Sequence, residues 1–295
     1  GATGALVVTG DKKLTITTAL DAEILSVDAS ANTGGLVLTN SPTFANATIT
    51  GSAAADTIDA PTGVTAITGG AGNDFVTFDA TLTAADTFDG GDGVDTVKIN
   101  GGNLTQTSVV GGLSNVEILE LSTAHTISLE SNISPTTFDF GTNETNQVLN
   151  LLDGYTAATT VKLGSDATNA DKIVNTANVD LTITANSTSY DESTSVTGGT
   201  GTDSISILNT AAGQVDLTAT TGVDSITFTD YTAGVDVELD THSYTLDATY
   251  KAKVLTIDAS SMDAGEVFTL TGDATVTKMD VTAGGGDDLL VLGTL

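Results

Sequence analysis

One short phrase recurs in this chain of 295 residues and constrains its fold more than any other feature. The phrase is Gly-Gly-x-Gly-x-Asp-x-apolar, and full copies begin at Gly69, Gly90 and Gly198. A fourth copy, which begins at Ala283, has alanine in place of the first glycine. Glycines allow sharp turns with positive φ, and the residues after the aspartate alternate as in a strand with one buried face. Each copy therefore predicts a tight turn that leads into a β-strand.

The aspartates of these turns recur at intervals that suit stacked coils. Asp56 precedes Asp74 by 18 residues, which is two nonapeptides, or one full coil of a β-roll. Asp95 follows Asp74 by 21 residues, and Asp224 follows Asp203 by the same interval, as expected for a coil with a small inserted loop. The sequence thus predicts an all-β fold, a parallel β-solenoid or β-roll in which successive glycine–aspartate turns lie one above the other.

Short alternating runs bounded by Gly, Asn or Asp continue this pattern through most of the chain. The phrase at residues 22–30 recurs at residues 252–260, which suggests two related blocks. We predict a β-solenoid block at 1–100, an irregular β-solenoid linker block at 101–197, and a second β-solenoid block at 198–295, truncated at its C-terminus. The last phrase stops inside a repeat, so we expect a longer parent protein. Only residues 143–155 favour a short helix.

The composition limits the classes of function. The net charge is −30, with 38 acidic residues, 8 basic residues and no cysteine. Such a surface repels nucleic acid, and a chain without cysteine has neither disulfides nor thiol catalysis. No apolar run approaches the length of a transmembrane helix, so we expect no membrane insertion. Aspartate outnumbers glutamate 30 to 8, which favours turns and calcium sites over helix surfaces.

The glycine–aspartate turns could bind a hard cation. A sharp turn without side chains directs carbonyl oxygens inward, and the aspartate adds a carboxylate, which together are the ligands that calcium prefers. Ordinary β-turns are the alternative interpretation, because Gly and Asp are common in all turns. The degenerate turns at Asp171 and Asp224 are better explained as plain solenoid corners.

The phrases resemble the repeats-in-toxin motif, and the surrounding strands, such as SVDASANTGGLVLT and GGLSNVEILELS, look like those of S-layer proteins of Gram-negative bacteria. The resemblance implies calcium as cofactor, export by a type I system, an extracellular location at the cell surface, and assembly of identical copies into a two-dimensional lattice. It also allows a cell-surface polysaccharide partner, bound through a region outside this chain. The metal-site residues predicted from motif and spacing are Asp56, Gly70, Gly72, Asp74, Gly91, Gly93, Asp95, Gly199, Gly201, Asp203, Gly286 and Asp288.

The sequence is compatible with three functions. The first is a structural surface-layer protein that folds on calcium, and the second is a calcium-dependent adhesin or the stalk module of a larger exported protein. The third, an exported enzyme with a repeat-containing tail, is the weakest, because His125 and His242 lie in strand-like runs without a partner pattern. We therefore expect no enzymatic activity within these residues.

Overall fold

A computed structural model describes most of the chain. The described residues are 4–21, 23–39, 47–61, 63–78, 82–101, 104, 106, 109, 112–141, 146–164, 170–186, 189–190, 193–209, 213–215, 219–230, 237–239, 255–258, 260, 269–272, 279–283, 285 and 289–292. The chain divides into two compact units. Unit 1 comprises Gly1–His125 and Asn132–Phe138, and unit 2 comprises Thr126–Ser131 and Asp139–Leu295.

Unit 1 is built from short parallel strands that alternate between two sheets. Its strands are β1 (Gly4–Gly10), β2 (Leu14–Ile16), β3 (Ile24–Asn32), β4 (Leu36–Leu38), β5 (Ala47–Thr50), β6 (Thr57–Asp59), β7 (Thr65–Ala71), β8 (Phe75–Phe78), β9 (Thr87–Asp92), β10 (Thr96–Ile99), β11 (Leu113–Ser114) and β12 (Ile118–Leu121). The odd-numbered strands lie side by side in chain order in one sheet, and the even-numbered strands do the same in the other. One coil thus contributes one strand to each sheet.

The core of unit 1 consists of columns of apolar side chains, because equivalent residues of successive coils are paired. Ile49 pairs with Ile67, and Ile67 pairs with Phe88, in the odd-numbered sheet. In the other sheet, Val76 pairs with Val97. All five side chains are at most 2% exposed. Burial of each such side chain contributes about 1.5–3 kcal/mol, so the columns hold the coils together.

Unit 2 follows the same plan. Its strands are β13 (Thr126–Leu129), β15 (Val148–Leu151), β16 (Thr159–Lys162), β17 (Lys172–Asn175), β18 (Leu181–Asn186), β19 (Ser195–Thr197), β20 (Asp203–Asn209), β21 (Gly213–Val215), β22 (Thr220–Thr221), β23 (Ser225–Asp230), β24 (Val237–Leu239), β25 (Leu255–Asp258), β26 (Thr269–Gly272), β27 (Met279–Thr282) and β28 (Leu289–Leu292), while β14 (Thr137–Asp139) crosses the division between the units. Three rows of parallel strands form, in the orders β13-β15-β17-β19-β22, β16-β18-β20-β23-β25-β27 and β21-β24-β26-β28. Buried Val161, Ile183, Ile205 and Ile226 form one of its apolar columns.

The predicted fold class is confirmed: the chain is an all-β protein of stacked parallel strands. The helix suggested at residues 143–155 is wrong, because Val148–Leu151 forms β15 with Leu149 and Leu151 buried. Helical backbone occurs instead at Gln106, Val109 and Gly112. Among the described residues, none belongs to a helix that is long and apolar enough to span a membrane. The three-block division stays a prediction.

Candidate functional site

Four acidic residues of unit 1 occupy equivalent corners of successive coils. Asp56, Asp74, Asp95 and Glu117 each stand immediately before a strand of the even-numbered sheet, and the strand register places them one above another. We call this set the acidic column. The three aspartates are buried, with side chains at most 2% exposed. The stacking predicted from the intervals of 18 and 21 residues is therefore present.

Each member of the acidic column accepts a hydrogen bond from the backbone of the preceding coil. Asp56 Oδ1 accepts from the Leu36 N–H at 2.5 Å, and Asp74 Oδ1 accepts from the Asp56 N–H at 2.8 Å. Asp95 Oδ1 accepts from the Asp74 N–H at 2.7 Å, and Glu117 Oε2 accepts from the Asp95 N–H at 2.7 Å. A buried N–H must have a hydrogen-bond acceptor. One oxygen of each carboxylate therefore serves as the acceptor for a backbone N–H in the preceding coil.

The same arrangement recurs outside the acidic column. Asp86 Oδ1 accepts from the Thr65 N–H at 3.0 Å in the odd-numbered sheet. In unit 2, Asp171 Oδ1 accepts from the Gln147 N–H at 2.9 Å, and Asp203 Oδ1 accepts from the Leu181 N–H at 3.1 Å. Asp224 Oδ2 in turn accepts from the Asp203 N–H at 2.8 Å. Capping by a carboxylate is thus a general use of aspartate in this solenoid, a role that the sequence interpretation missed.

The second carboxylate oxygen distinguishes the corners. Asp56 Oδ2 accepts from the Ser52 N–H at 2.6 Å, and the Ser52 hydroxyl lies 2.8 Å from Asp56 Oδ1. Asp74 Oδ2 and Asp95 Oδ2 are equally buried but have no hydrogen-bond partner. A buried carboxylate oxygen without a donor is costly, so these two corners leave a strong acceptor for a further group.

The two unbonded oxygens face glycine. A Cβ atom added to Gly69 would overlap both Asp74 Oδ2 and the carbonyl oxygen of Gly90 in the next coil. A Cβ atom on Gly90 would likewise overlap Asp95 Oδ2 and the carbonyl oxygen of Asn115. Each corner thus brings together a carboxylate oxygen and a carbonyl oxygen beside a residue that must lack a side chain. An all-oxygen donor set of this kind suits a hard cation such as calcium.

The glycines of the phrases fulfil two different requirements. Gly70, Gly72, Gly91 and Gly93 have φ values between 96° and 154°, so these turns need residues that tolerate positive φ. The φ angles of Gly199 and Gly201 lie outside this region. There a side chain would instead overlap the carbonyl oxygens of Ala177 and Val179, on the neighbouring coil.

We call the Asp74 and Asp95 corners open, because each has a buried carboxylate oxygen without a hydrogen-bond donor, and we call the Asp56 corner closed. Burial and nearby charges make the ionised form of the open carboxylates unfavourable. Burial raises the pKa of Asp74 to about 7, and the nearby charges of Asp56 and Asp95 act in the same direction, while the bond from the Asp56 N–H opposes the shift. Burial also raises the pKa of Asp95, with the charges of Glu117 and Asp89 adding to the shift. A proton or a bound cation would relieve this cost.

The remaining predicted residues add no larger cluster. Within the described residues, no group of three or more His, Asp or Glu side chains is placed to hold a metal ion. Gly286, Asp288 and His242 lie outside the described residues. His125 is buried, with Nε2 at 3.0 Å from the Thr123 hydroxyl. Any cation in these corners would therefore depend mainly on backbone carbonyl oxygens.

The fold and these corners define a β-solenoid with capped acidic turns. No family model, curated protein or solved structure matches the chain. The resemblance to repeat-containing S-layer proteins therefore stays a prediction, together with the calcium ligands that it implies.

Proposed function

We propose that this chain is a structural surface-layer protein of a Gram-negative bacterium, which folds on calcium and assembles with identical copies into a two-dimensional lattice. The observation that carries the calcium part is the pair of buried, unbonded oxygens, Asp74 Oδ2 and Asp95 Oδ2. In this proposal the protein is exported by a type I system and acts outside the cell.

Calcium fits the open corners by the chemistry of their donors. It takes six to eight oxygen ligands in flexible geometry, from carboxylates, carbonyls and water. Asp74 and Asp95 would supply carboxylate oxygens, and the turns at 69–72 and 90–93 would supply carbonyl oxygens. The ion would neutralise buried charge, and its binding energy would become part of the folding free energy. Asp203 would have the corresponding role in unit 2.

The distribution of charge in unit 2 supports contacts between copies. Two outward rows of β16, β18, β20 and β23 carry hydroxyl side chains and one lysine, namely Thr160, Lys162, Thr182, Thr184, Ser204, Ser206, Ser225 and Thr227. Asp180 and Asp224 stand immediately before β18 and β23, and Asp203 is the first residue of β20. A net charge of −30 opposes the packing of copies. These rows are bordered by Asp139, which pairs with Lys162 at 3.7 Å, and by Asp258 on β25, but between them the hydroxyl side chains can approach another molecule at lower electrostatic cost.

Assembly in the presence of different cations tests the proposal. We expect the purified protein to be monomeric in chelator and to form extended sheets in millimolar calcium, as followed by light scattering and electron microscopy. Sodium at equal ionic strength is the control, because it screens charge without occupying a specific site. Sheets that form equally well in sodium would contradict the calcium mechanism. A calcium-folded monomer that never assembles would instead favour the adhesin or stalk function.

A further inference from the structure

We propose that Ser52 takes the place of a calcium ion at the Asp56 corner, so that this corner is closed by protein groups alone. The Asp74 and Asp95 corners, which lack such a serine, then need the cation. This inference rests on the proposed function and narrows it, because it separates one corner of the acidic column from the two above it.

The contacts of Ser52 carry the argument. Its N–H donates to Asp56 Oδ2 at 2.6 Å, and its hydroxyl oxygen lies 2.8 Å from Asp56 Oδ1. The Leu36 N–H adds a third donor to the same carboxylate. A carboxylate offers about four acceptor positions, so three are filled by protein donors. Asp74 has the equivalent bond from Asp56 N–H to Oδ1, but its Oδ2 has no donor.

The difference follows from a single position in the phrase. Ser52 is four residues before Asp56, as Gly70 is before Asp74 and Gly91 before Asp95. Gly70 and Gly91 have φ of 120° and 96°, whereas the only described non-glycine residues with positive φ are Asn115 and Asn146. The turn at Ser52 therefore has a backbone that a side chain can adopt, and it directs the N–H group at the carboxylate.

Neighbouring coils explain why the serine stands only at the first of the three corners. A side chain at Gly70 would overlap the carbonyl oxygen of Ser52, and one at Gly91 would overlap the carbonyl oxygen of Gly70. Ser52 has room for its hydroxyl, which accepts from the Ala54 N–H at 3.1 Å. The closed corner also holds the Asp56 N–H in place against Asp74 Oδ1, so it orients the first open carboxylate before an ion binds.

Amide hydrogen exchange, measured by NMR on the whole chain in chelator and in calcium, tests this inference site by site. In the wild type we expect the Leu36 and Ser52 amides to exchange equally in both conditions, within about twofold. The Asp56 and Asp74 amides, whose acceptors belong to open corners, should gain about tenfold or more protection with calcium. In Ser52→Gly, the Leu36 amide should become calcium-dependent by a similar factor.

Ser134→Gly is the matched control. The Ser134 hydroxyl accepts from the Val116 N–H at 2.8 Å and donates to the Val116 carbonyl oxygen at 3.1 Å in the same unit, so both of these bonds join it to the backbone. Its loss should change local exchange equally in chelator and in calcium. If calcium protects Leu36 and Ser52 as strongly as Asp74, or if the chain unfolds entirely in chelator, the substitution of ion by serine is wrong while calcium dependence stands. If calcium alters no amide of the column, the proposed function itself fails.

Discussion

The Asp56 and Asp74 corners occupy equivalent places in neighbouring coils, yet their carboxylates differ in hydrogen bonding. Both use one oxygen to cap a backbone N–H of the coil behind them. At Asp56 the second oxygen is bonded to Ser52, and at Asp74 it is buried without a donor. The comparison separates two functions of one residue type: the first oxygen builds the solenoid, and the second is available for a ligand.

This separation changes how the glycine–aspartate phrase is interpreted. The aspartate alone indicates a cap, since Asp86 and Asp171 cap in the same way outside any full copy of the phrase. The glycine four residues before the aspartate indicates an open corner, because it leaves the second oxygen without the donor that Ser52 provides. A solenoid corner is then a candidate cation site only where both features occur together.

The largest effect should come from forcing the open corner to resemble the closed one. Gly70→Ser places a side chain at φ of 120° and against the Ser52 carbonyl oxygen. We expect a loss of roughly 3 kcal/mol or more in the free energy of unfolding, measured in urea. Gly10→Ser is the control, because φ is 115° but no atom lies within 4 Å of an added Cβ. It should lose about 1–2 kcal/mol; equal losses would show that backbone conformation alone sets the requirement.

The second largest effect should come from replacing Asp56 or Asp74 by asparagine, and the two replacements should change stability in different ways. In Asp56→Asn an amide NH₂ must face the N–H of either Ser52 or Leu36, so we expect a loss of about 2 kcal/mol in chelator and in calcium alike. Asp74→Asn keeps an oxygen for the Asp56 N–H and removes a buried charge. We expect this variant to be at least as stable as wild type in chelator at neutral pH, and to lose its stabilisation by calcium.

Thermal unfolding with and without calcium measures both variants. A normal calcium response in Asp74→Asn would remove this carboxylate from the set of ligands. A calcium response that disappears in Asp56→Asn, with unchanged stability in chelator, would reverse the assignment of open and closed corners.

In chelator, the free energy of unfolding should change with pH by about as much as it changes in Asp56→Asn. The pKa of Asp74 is raised to about 7 in the folded protein, mainly by burial, so folding favours the protonated form. Its contribution to stability is therefore complete below about pH 4 and is lost as the pH rises to about 7. We expect urea denaturation to show a fall of about 2 kcal/mol between pH 5 and pH 8. The fall should shrink in Asp74→Asn; a wild-type profile that rises over this range would contradict the raised pKa.

The sequence predicted the repeating parts of the structure well, for a local reason. The alternation of apolar residues identified strands such as Leu36–Leu38, and the intervals between aspartates predicted which turns stack. The duplicated phrase also keeps its local geometry, since the Ser30 and Ser260 N–H groups donate to Asp28 and Asp258 in the same way. These features depend on residues that are neighbours in sequence or one coil apart.

The bonding of each corner could not be predicted from the phrase, because its partners come from other coils. Asp95 looks equivalent to Asp74 in sequence, yet its own N–H is capped by the longer side chain of Glu117. The third copy has the same sequence pattern as the first two, but Gly199 and Gly201 lack the positive φ of the equivalent glycines. The sequence signal for the closed corner is Ser52, which stands where the phrase has its second glycine, and it was not recognised as a donor to Asp56.

The smallest expected effect concerns a neighbour of the open carboxylate. Asn73 Oδ1 accepts from the exposed Val94 N–H at 3.1 Å, and Ala55 holds the equivalent place in the closed corner. In Asn73→Ala water can replace this bond, so we expect a loss of only about 0.5 kcal/mol in urea denaturation. The loss should be equal in chelator and in calcium, because the amide bonds a backbone group rather than the open oxygen. A loss seen only in calcium would make Asn73 Oδ1 a further ligand, and the open corner would then differ from the closed one at two positions instead of one.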